Sequence, residues 1–209
     1  MQPIFITGIG TDIGKTIVSA IVTEALQANY WKPIQAGFET GTDAETVQKL
    51  TSLPKEKFHN EVYKLNMPAS PHIAAREEGI TISIDKIDKA YQLLPRPLVI
   101  EGAGGLLVPI NNDEFVIDII KKLKASVILV SRNYLGSINH SLLTAAICKQ
   151  NNISVLGWMF NDQYLNYESE IVEWSGYPKI GSIPLATSLN QQFVQQQAAL
   201  IKPVLQSLL

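Results

Sequence analysis

The chain has 209 residues, a formal net charge of −2 at pH 7 and one cysteine, Cys148. This length suits one α/β domain with a full core, so we expect residues 1–209 to form a single domain. The small net charge, with both signs mixed along the chain, argues against binding of nucleic acid or an anionic membrane. A lone cysteine, no basic-apolar leader and no membrane-length apolar run together predict a cytoplasmic protein.

Short apolar runs alternate with helical patterns along the chain. The runs predict buried parallel strands at Ile4–Thr7, Tyr30–Ile34 (the weakest), Leu98–Glu101, Val127–Val130, Val155–Phe160 and Ile180–Ile183. The 3.6-residue periodicity predicts helices at Lys15–Ala28, Asp43–Leu50, Ile84–Leu93, Phe115–Leu123, Ile138–Gln150, Tyr167–Trp174 and Leu189–Leu208. Residues 54–71 follow neither pattern, and we expect an irregular segment with a substrate loop there. This alternation predicts an α/β fold whose ligands bind beyond the carboxyl ends of the strands.

A glycine-rich segment joins the first predicted strand to the first predicted helix. In Gly8-Ile9-Gly10-Thr11-Asp12-Ile13-Gly14-Lys15-Thr16 the glycines let backbone N–H groups point at phosphate oxygens. Lys15 would meet the terminal phosphates of ATP, and Thr16 would offer its hydroxyl to Mg²⁺. Five residues separate Gly8 from Gly14 where the general motif has four. The alternative is a glycine-rich turn with a solvated lysine, but the context favours a three-layer P-loop NTPase-like fold with a mainly parallel central sheet flanked by helices.

Lys32 ends the weak second strand. It would project from the same edge of the sheet as the glycine-rich segment Gly8–Thr16, which we call the phosphate loop. A cation there could neutralise charge on a transferring phosphoryl group, although an exposed lysine at a strand end is the simpler interpretation. A dinucleotide-binding fingerprint would need an acidic residue at this strand end and a glycine in place of Ile13. The sequence therefore argues against NAD.

Two acidic residues follow predicted strands or begin helices. Asp43 stands at a predicted helix start, where it could cap the helix or ligate a metal. Glu101 ends the apolar strand and opens the segment Gly102-Ala103-Gly104-Gly105. If its strand neighbours the first strand, its carboxylate lies beside the phosphate loop, where P-loop enzymes hold Mg²⁺.

Two later segments have the composition of ligand contacts. The predicted helix that follows Gly136 begins with Ser137, Ile138 and Asn139, and its free N–H groups could hold a substrate carboxylate. Simple capping by Ser137 is the alternative. Asn161 follows a strand, and its amide could match the edge of adenine or could form an ordinary turn.

Together these motifs resemble the dethiobiotin synthetase family, whose members close a cyclic urea from 7,8-diaminononanoate, CO₂ and ATP. The likeness spans nearly the whole chain, and the phosphate-loop spacing is similar to the one this family uses. The segments that carry it are Thr7-Gly8 through Gly14-Lys15-Thr16, Lys32-Pro33, Asp43, Ser70-Pro71-His72, Glu101 through Gly105, Leu135 through His140, Gly157-Trp158 with Asn161-Asp162, and Gly181 through Pro184.

The resemblance implies a role for each matching residue and a homodimer with the substrate site at the subunit interface. The implied catalytic residues are Lys15, Lys32 and Thr11. The implied ATP contacts are Asp12, Ile13, Gly14, Lys15, Thr16, Ile17, Glu101, Gly102, Ala103, Gly104, Asn161, Pro184 and Leu185. The implied Mg²⁺ ligands are Thr16, Asp43 and Glu101. The implied substrate contacts are Thr11, Asp12, Lys32, Pro71, Ser137, Ile138 and Asn139.

Three positions depart from the residues common in the family. Ala36 stands in place of Ser or Thr, Asp12 in place of Glu, and Tyr134 in place of Lys. The stretch before Lys32 is also shorter. The departures at Ala36 and Tyr134 bear on substrate contacts, and apart from Asp12 the residues implied for ATP and Mg²⁺ match the family.

The implied chemistry needs no nucleophilic side chain. One amine captures CO₂ as a carbamate, the carbamate attacks the γ-phosphate to give a carbamic-phosphoric anhydride, and the second amine closes the ring. The protein would act by positioning and by stabilising phosphoryl charge through Lys15, Lys32 and Mg²⁺.

Two other classes share P-loop folds. One contains amide-forming ligases of cofactor synthesis, and the other contains ATP-driven switches that bind partner proteins. The signature lysine of the switch class would fall near Gly10, so the sequence argues against a switch.

Overall fold

The computed structural model describes residues 2–162 and 165–209. Its strands are β1 (Ile4–Gly8), β2 (Asn29–Trp31), β3 (Ile34–Ala36), β4 (Phe58–His59), β5 (Tyr63–Leu65), β6 (Leu98–Gly105), β7 (Ser126–Arg132), β8 (Val155–Asn161) and β9 (Lys179–Ile183). Its helices are α1 (Lys15–Leu26), α2 (Asp43–Leu50), α3 (Pro71–Glu77), α4 (Ile84–Tyr91), α5 (Val116–Leu123), α6 (Ser137–Gln150), α7 (Glu168–Ser175) and α8 (Gln191–Leu208). Within these residues, none of the helices is both long and apolar enough to span a bilayer.

Seven strands form one sheet in the order β4-β2-β6-β1-β7-β8-β9. All neighbouring pairs run parallel. A small second sheet pairs β3 with β5, also in parallel. Because β1 lies between β6 and β7, the phosphate loop leaves the middle of the sheet with the ends of β6 and β7 on either side. This is the mainly parallel sheet that the sequence predicted.

Side chains of alternate strand residues enter two apolar layers. Phe5 of β1 and Leu129 of β7 face the layer that is covered by α3, α4, α5, α6 and α7. Ile6 and Val130, the next residues on these strands, face the layer covered by α1, α2 and α8. The three-layer arrangement of helices on both faces of the sheet is therefore confirmed.

The predicted strand at Tyr30–Ile34 is two strands. β2 pairs with β6 in the main sheet, whereas β3 pairs with β5 in the small sheet. The chain changes sheets at Lys32-Pro33, where proline lacks the N–H group that a continuous strand needs. Lys32 therefore takes no part in strand pairing and lies just beyond the carboxyl end of β2.

The expectation of an irregular segment at 54–71 was wrong in part. The segment contains a 3₁₀ turn at Lys55–Lys57 and the strands β4 and β5, and α3 begins at its end. Pro71 opens α3 at the first helical turn, where its missing N–H group costs nothing. Residues 66–70 remain a loop, and it borders the site described below.

Candidate active site

The phosphate loop is fixed by glycine geometry and by an amide from β8. Gly14 has φ 88° and ψ 24°, a left-handed conformation that favours glycine. A Cβ atom at Gly14 would lie 2.2 Å from Nδ2 of Asn161. That Nδ2 donates a hydrogen bond to the carbonyl of Ile13 at 2.6 Å. No side chain caps α1, so its first N–H groups still face the loop, as anion binding requires.

Lys15 is buried and curls back over the loop. Its Nζ donates a hydrogen bond to the carbonyl of Gly10 at 2.6 Å. Burial lowers the pKa of Lys15 to about 8, against the opposing charge of Glu101. A phosphate group beside this ammonium would favour its charged form again, so the site is prepared for an anion.

Lys32 lies in the interior between two carboxylates. Its Nζ forms ion pairs with Oδ2 of Asp43 and with Oε1 of Glu101, the latter at 3.1 Å. Burial opposes the charge of Lys32, but both carboxylates outweigh it and raise its pKa. Burial likewise opposes ionisation of Asp43, and Lys32 outweighs it and lowers the pKa of that carboxyl. The interpretation of Lys32 as an exposed strand-end lysine is therefore wrong.

Asp43 does not cap α2. The N-cap is Thr42, whose hydroxyl accepts from the Glu45 N–H at 3.1 Å, while the Glu45 carboxylate accepts from the Thr42 N–H at 2.9 Å. This reciprocal capping box satisfies the helix end. The backbone N–H of Asp43 donates instead to Oε1 of Gln35 at 3.2 Å. The Asp43 carboxylate is thereby left to face Lys32.

The oxygen atoms of three predicted metal ligands meet at one point. Oγ1 of Thr16 lies 2.8 Å from Oδ1 of Asp43 and 3.0 Å from Oε1 of Glu101. Mg²⁺ prefers oxygen ligands and usually takes one or two carboxylates together with substrate phosphates. In residues 2–162 and 165–209, no group of three or more His, Cys, Asp or Glu residues could hold a metal. Two carboxylates and a hydroxyl at these distances fit a Mg²⁺ ion that would take further ligands from nucleotide phosphates.

A cleft of about 800 Å³ connects these groups. It is bordered by Ala36 and by Pro68, Ala69 and Ser70 of the 66–70 loop. The predicted site residues that line it are Thr11, Asp12, Gly14, Lys15, Thr16, Lys32, Asp43, Pro71, Glu101, Ala103 and Gly104.

Other predicted ATP contacts lie around the cleft. Ile13 is buried beneath the loop, and Ile17 borders a neighbouring cavity of about 830 Å³ between α1, α2 and the start of α8. Gly102 packs on Phe5, because a Cβ atom there would lie 2.6 Å from its ring. Pro184 and Leu185 follow β9 and are exposed.

The start of α6 lies outside this cleft. Its N-cap is Gly136, with no side-chain capping bond. Ser137 points inward, and its Oγ lies 2.8 Å from the Tyr167 hydroxyl, so the interpretation of Ser137 as a cap is wrong. Ile138 is half-buried and Asn139 is exposed. These three residues do not line the cleft with Lys15.

Sequence comparison relates this site to known proteins. A family model described as an AAA domain matches residues 2–193. An ATP-dependent dethiobiotin synthetase BioD from Cytophaga hutchinsonii is 50% identical over 204 residues, which cover 95% of this chain and 96% of the relative. The chain belongs to the ATP-dependent dethiobiotin synthetase family. Further dethiobiotin synthetases, from Afipia carboxidovorans and Christiangramia forsetii, are 44% and 45% identical over 90% and 93% of this chain, and 89% and 93% of their own lengths.

Solved structures share the fold at low sequence identity. The MinC:MinD cell division protein complex of Aquifex aeolicus contains a chain with a TM-score of 0.59 and 14% identity, over 99% of this chain and 96% of that one. A ParA family ATPase from Chlorobium tepidum has a TM-score of 0.55 and 14% identity, over 99% of this chain and 91% of its own. At this identity the two structures show the fold alone, which is the P-loop NTPase-like three-layer fold.

Two residues at this dethiobiotin synthetase site were not predicted from the sequence. Tyr30 donates its hydroxyl to Oε2 of Glu101 at 2.9 Å, and Gln35 binds the Asp43 N–H. Tyr30 lies in an apolar strand and is typical of a core residue. One signal was available, since Tyr30 and Lys32 are two apart and face the same side of an extended chain.

Proposed function

We propose that this chain makes dethiobiotin, ADP and phosphate from 7,8-diaminononanoate, CO₂ and ATP, with Mg²⁺. The observation that carries the proposal is the 50% identity to a dethiobiotin synthetase over 95% of the chain. The cleft supports it, because two lysines and two carboxylates converge beside a phosphate loop. We also infer that residues 1–209 act as one domain, because β1 and β9, from opposite ends of the chain, belong to the same sheet.

The ATP phosphates would lie on the loop between β1 and α1. The loop's backbone N–H groups, those of the first turn of α1 and the ammonium of Lys15 would hold them. The backbone N–H group of Ile17 would add to these contacts with the phosphates. Asp12, Gly102, Ala103 and Gly104 would border the phosphates. Asn161, Pro184 and Leu185 would contact the base and ribose, and Asn161 would do so from its position against the loop.

Mg²⁺ would be held by Thr16, Asp43 and Glu101, whose oxygens already converge. When bound, it supplies a positive charge for phosphate oxygens and a fixed geometry for them. Lys32 must then share the two carboxylates with the metal. From its present position between them, its ammonium would also face a phosphoryl group bound in the cleft.

The diamine would lie in the cleft beside Thr11 and Asp12, with Lys32 near its carbamate and Pro71 bordering its path. Its amines are the nucleophiles, so the protein needs no nucleophile of its own. The thiol of Cys148 is consistent with this, since it is buried and burial raises its pKa to about 12. Positioning and preset positive charge are what the side chains contribute.

The substrate carboxylate would bind at the start of α6 in a second subunit. An uncapped helix N-terminus attracts anions, and Ser137, Ile138 and Asn139 supply its first turn. Leu107, Leu135 and Leu143 are 54%, 86% and 58% exposed near this helix. Leu107 and Leu143 line one cavity, and exposed apolar side chains of this kind suit an interface between two copies of the chain. A homodimer would thus complete each site.

Phosphate release tests this function directly. A synthetase releases phosphate only with both 7,8-diaminononanoate and bicarbonate, and mass spectrometry then detects dethiobiotin. An amide-forming ligase would respond to a different carboxylate and amine, and a switch would hydrolyse ATP without the diamine. Phosphate release that ignores the diamine would contradict the proposal.

A further inference from the structure

Tyr30 lies directly behind the predicted metal ligand Glu101. Tyr30 is fully buried in β2, and its hydroxyl donates to Oε2 of Glu101 at 2.9 Å. The other carboxylate oxygen, Oε1, contacts Thr16 at 3.0 Å and Lys32 at 3.1 Å. The two oxygens of the Glu101 carboxylate therefore face different surroundings. Oε2 faces the protein interior, and Oε1 faces the cleft.

The hydroxyl of Tyr30 is held in place by the sheet. β2 and β6 pair in parallel with Tyr30 opposite Val99, two residues before Glu101. The ring packs against Phe58 at a centroid distance of 6.3 Å. The Tyr30 hydroxyl is the donor in this hydrogen bond, and Oε2 of Glu101 is the acceptor. A rigid donor of this kind fixes the rotation of the carboxylate about its last bond.

We propose that Tyr30 is a positioning residue for Mg²⁺ binding, because its hydroxyl holds Oε2 of Glu101 and thereby directs Oε1 toward Thr16 and the cleft. The inference rests on the proposed role of Glu101 as a metal ligand. Hydrogen-bond partners behind metal ligands set the orientation and basicity of those ligands. Tyr30 would not touch the metal or the substrates itself.

Tyr30→Phe removes the hydroxyl and keeps the ring and its packing. The matched control is Tyr63→Phe, which removes another buried tyrosine hydroxyl that accepts the Ser83 N–H at 2.9 Å, away from Glu101. Metal affinity is measured as Mn²⁺ binding to each protein with ADP, from the electron paramagnetic resonance signal of free Mn²⁺. The midpoint of thermal unfolding is measured for each variant without metal. Binding is then measured at a temperature at which both variants are folded.

The proposal predicts that Tyr30→Phe weakens Mn²⁺ binding by about tenfold, while ADP affinity without metal is unchanged. Tyr63→Phe should match the parent in both. In a Glu101→Gln background, adding Tyr30→Phe should weaken Mn²⁺ binding much less, because no carboxylate remains to be directed.

Other outcomes separate this inference from the proposed function. If Glu101→Gln weakens Mn²⁺ binding but Tyr30→Phe does not, the role of Tyr30 is overturned and Glu101 remains a ligand. If Glu101→Gln binds Mn²⁺ like the parent, the metal role of Glu101 fails and the inference fails with it. Equal weakening in Tyr30→Phe and Tyr63→Phe would also overturn it, because the effect would then report a general loss of stability.

Discussion

The Lys32 ammonium forms a buried ion pair with Glu101, with 3.1 Å between Nζ and Oε1. The Lys32 and Glu101 side chains are only 8% and 1% exposed, so the pair is nearly sealed from water. A cation that is already desolvated and oriented needs little reorganisation when charge develops on a phosphoryl group. The same burial makes each partner depend on the other, because removing one would leave an uncompensated charge.

Lys15→Ala should remove most of the synthetase activity. Only a cation at this point meets the developing phosphoryl charge, and loss of one such contact costs about 10²–10³-fold in turnover. Folding should survive, because burial already disfavours the Lys15 charge. The check is phosphate release beside Lys57→Ala, which removes an ammonium that donates to the Gln27 carbonyl outside the cleft. Similar turnover in the two variants would contradict the role of Lys15.

The affinity for ADP should fall as pH rises above about 8, the pKa of Lys15 in the free protein. Phosphate binding requires the charged lysine, so above this pKa the protein must take up a proton as ADP binds. The loss should approach about tenfold per pH unit. The stability of the nucleotide-free protein should change in the opposite direction. Between about pH 8 and pH 10.5 the unfolded chain binds the Lys15 proton more tightly than the folded protein does, so the contribution of Lys15 to the free energy of unfolding rises with pH.

Calorimetric titration with ADP at several pH values measures the fall in ADP affinity. Buffers of different ionisation enthalpy report the proton uptake directly. In Lys15→Ala the affinity should be lower and flat across the same pH range. A slope that persists in this variant would assign the titration to another group.

Gly14→Ala should destabilise the protein more than Gly79→Ala. Both glycines have positive φ values, 88° and 64°, so both substitutions carry backbone strain of about 1–2 kcal/mol. At Gly14 the new Cβ atom would also meet Nδ2 of Asn161 at 2.2 Å, whereas at Gly79 nothing lies within 4 Å. The clash should add about 1–3 kcal/mol to the loss of unfolding free energy and weaken ADP binding. Denaturant titrations that give equal losses would argue against tight packing of Asn161 on the loop.

Mixing two inactive variants tests the shared site. One carries Lys15→Ala, and the other carries Asn139→Asp with Ile138→Glu, which place negative charge at the start of α6. If the substrate carboxylate binds across the dimer, each mixed dimer should regain one intact site, with Lys15 from one subunit and the helix start from the other. Subunit exchange is followed with two fluorescent labels. Confirmed exchange without recovered activity would contradict the shared site.

The elements that position the site could be predicted from local signals. The phosphate site was predicted because a strand, a glycine-rich loop and a lysine follow one another directly in the sequence. Glu101 was predicted as a site residue because it is an acid at the end of an apolar strand. Lys32 was harder, because its interpretation depends on which strands are neighbours, and the break at Pro33 hides the strand pairing. Its carboxylate partners, Asp43 and Glu101, lie 11 and 69 residues away in the sequence.

Two features could not be read from single positions. Ser137 has a residue type typical of a cap, but the fold turns its hydroxyl toward Tyr167. Tyr30 has a residue type typical of a core, but its hydroxyl donates to the carboxylate of Glu101 on β6, the neighbouring strand in the sheet. In both cases the role of the polar atom is set by a tertiary partner, which periodicity and propensity do not describe.

Formation of dethiobiotin is the direct test of the proposed synthetase activity. The purified protein is incubated with ATP, Mg²⁺, bicarbonate and 7,8-diaminononanoate, and dethiobiotin, ADP and phosphate are quantified together. We expect equal amounts of all three products, with none formed when the diamine or bicarbonate is omitted and almost none with Lys15→Ala. ADP and phosphate formed without dethiobiotin, or at the same rate without the diamine, would contradict it.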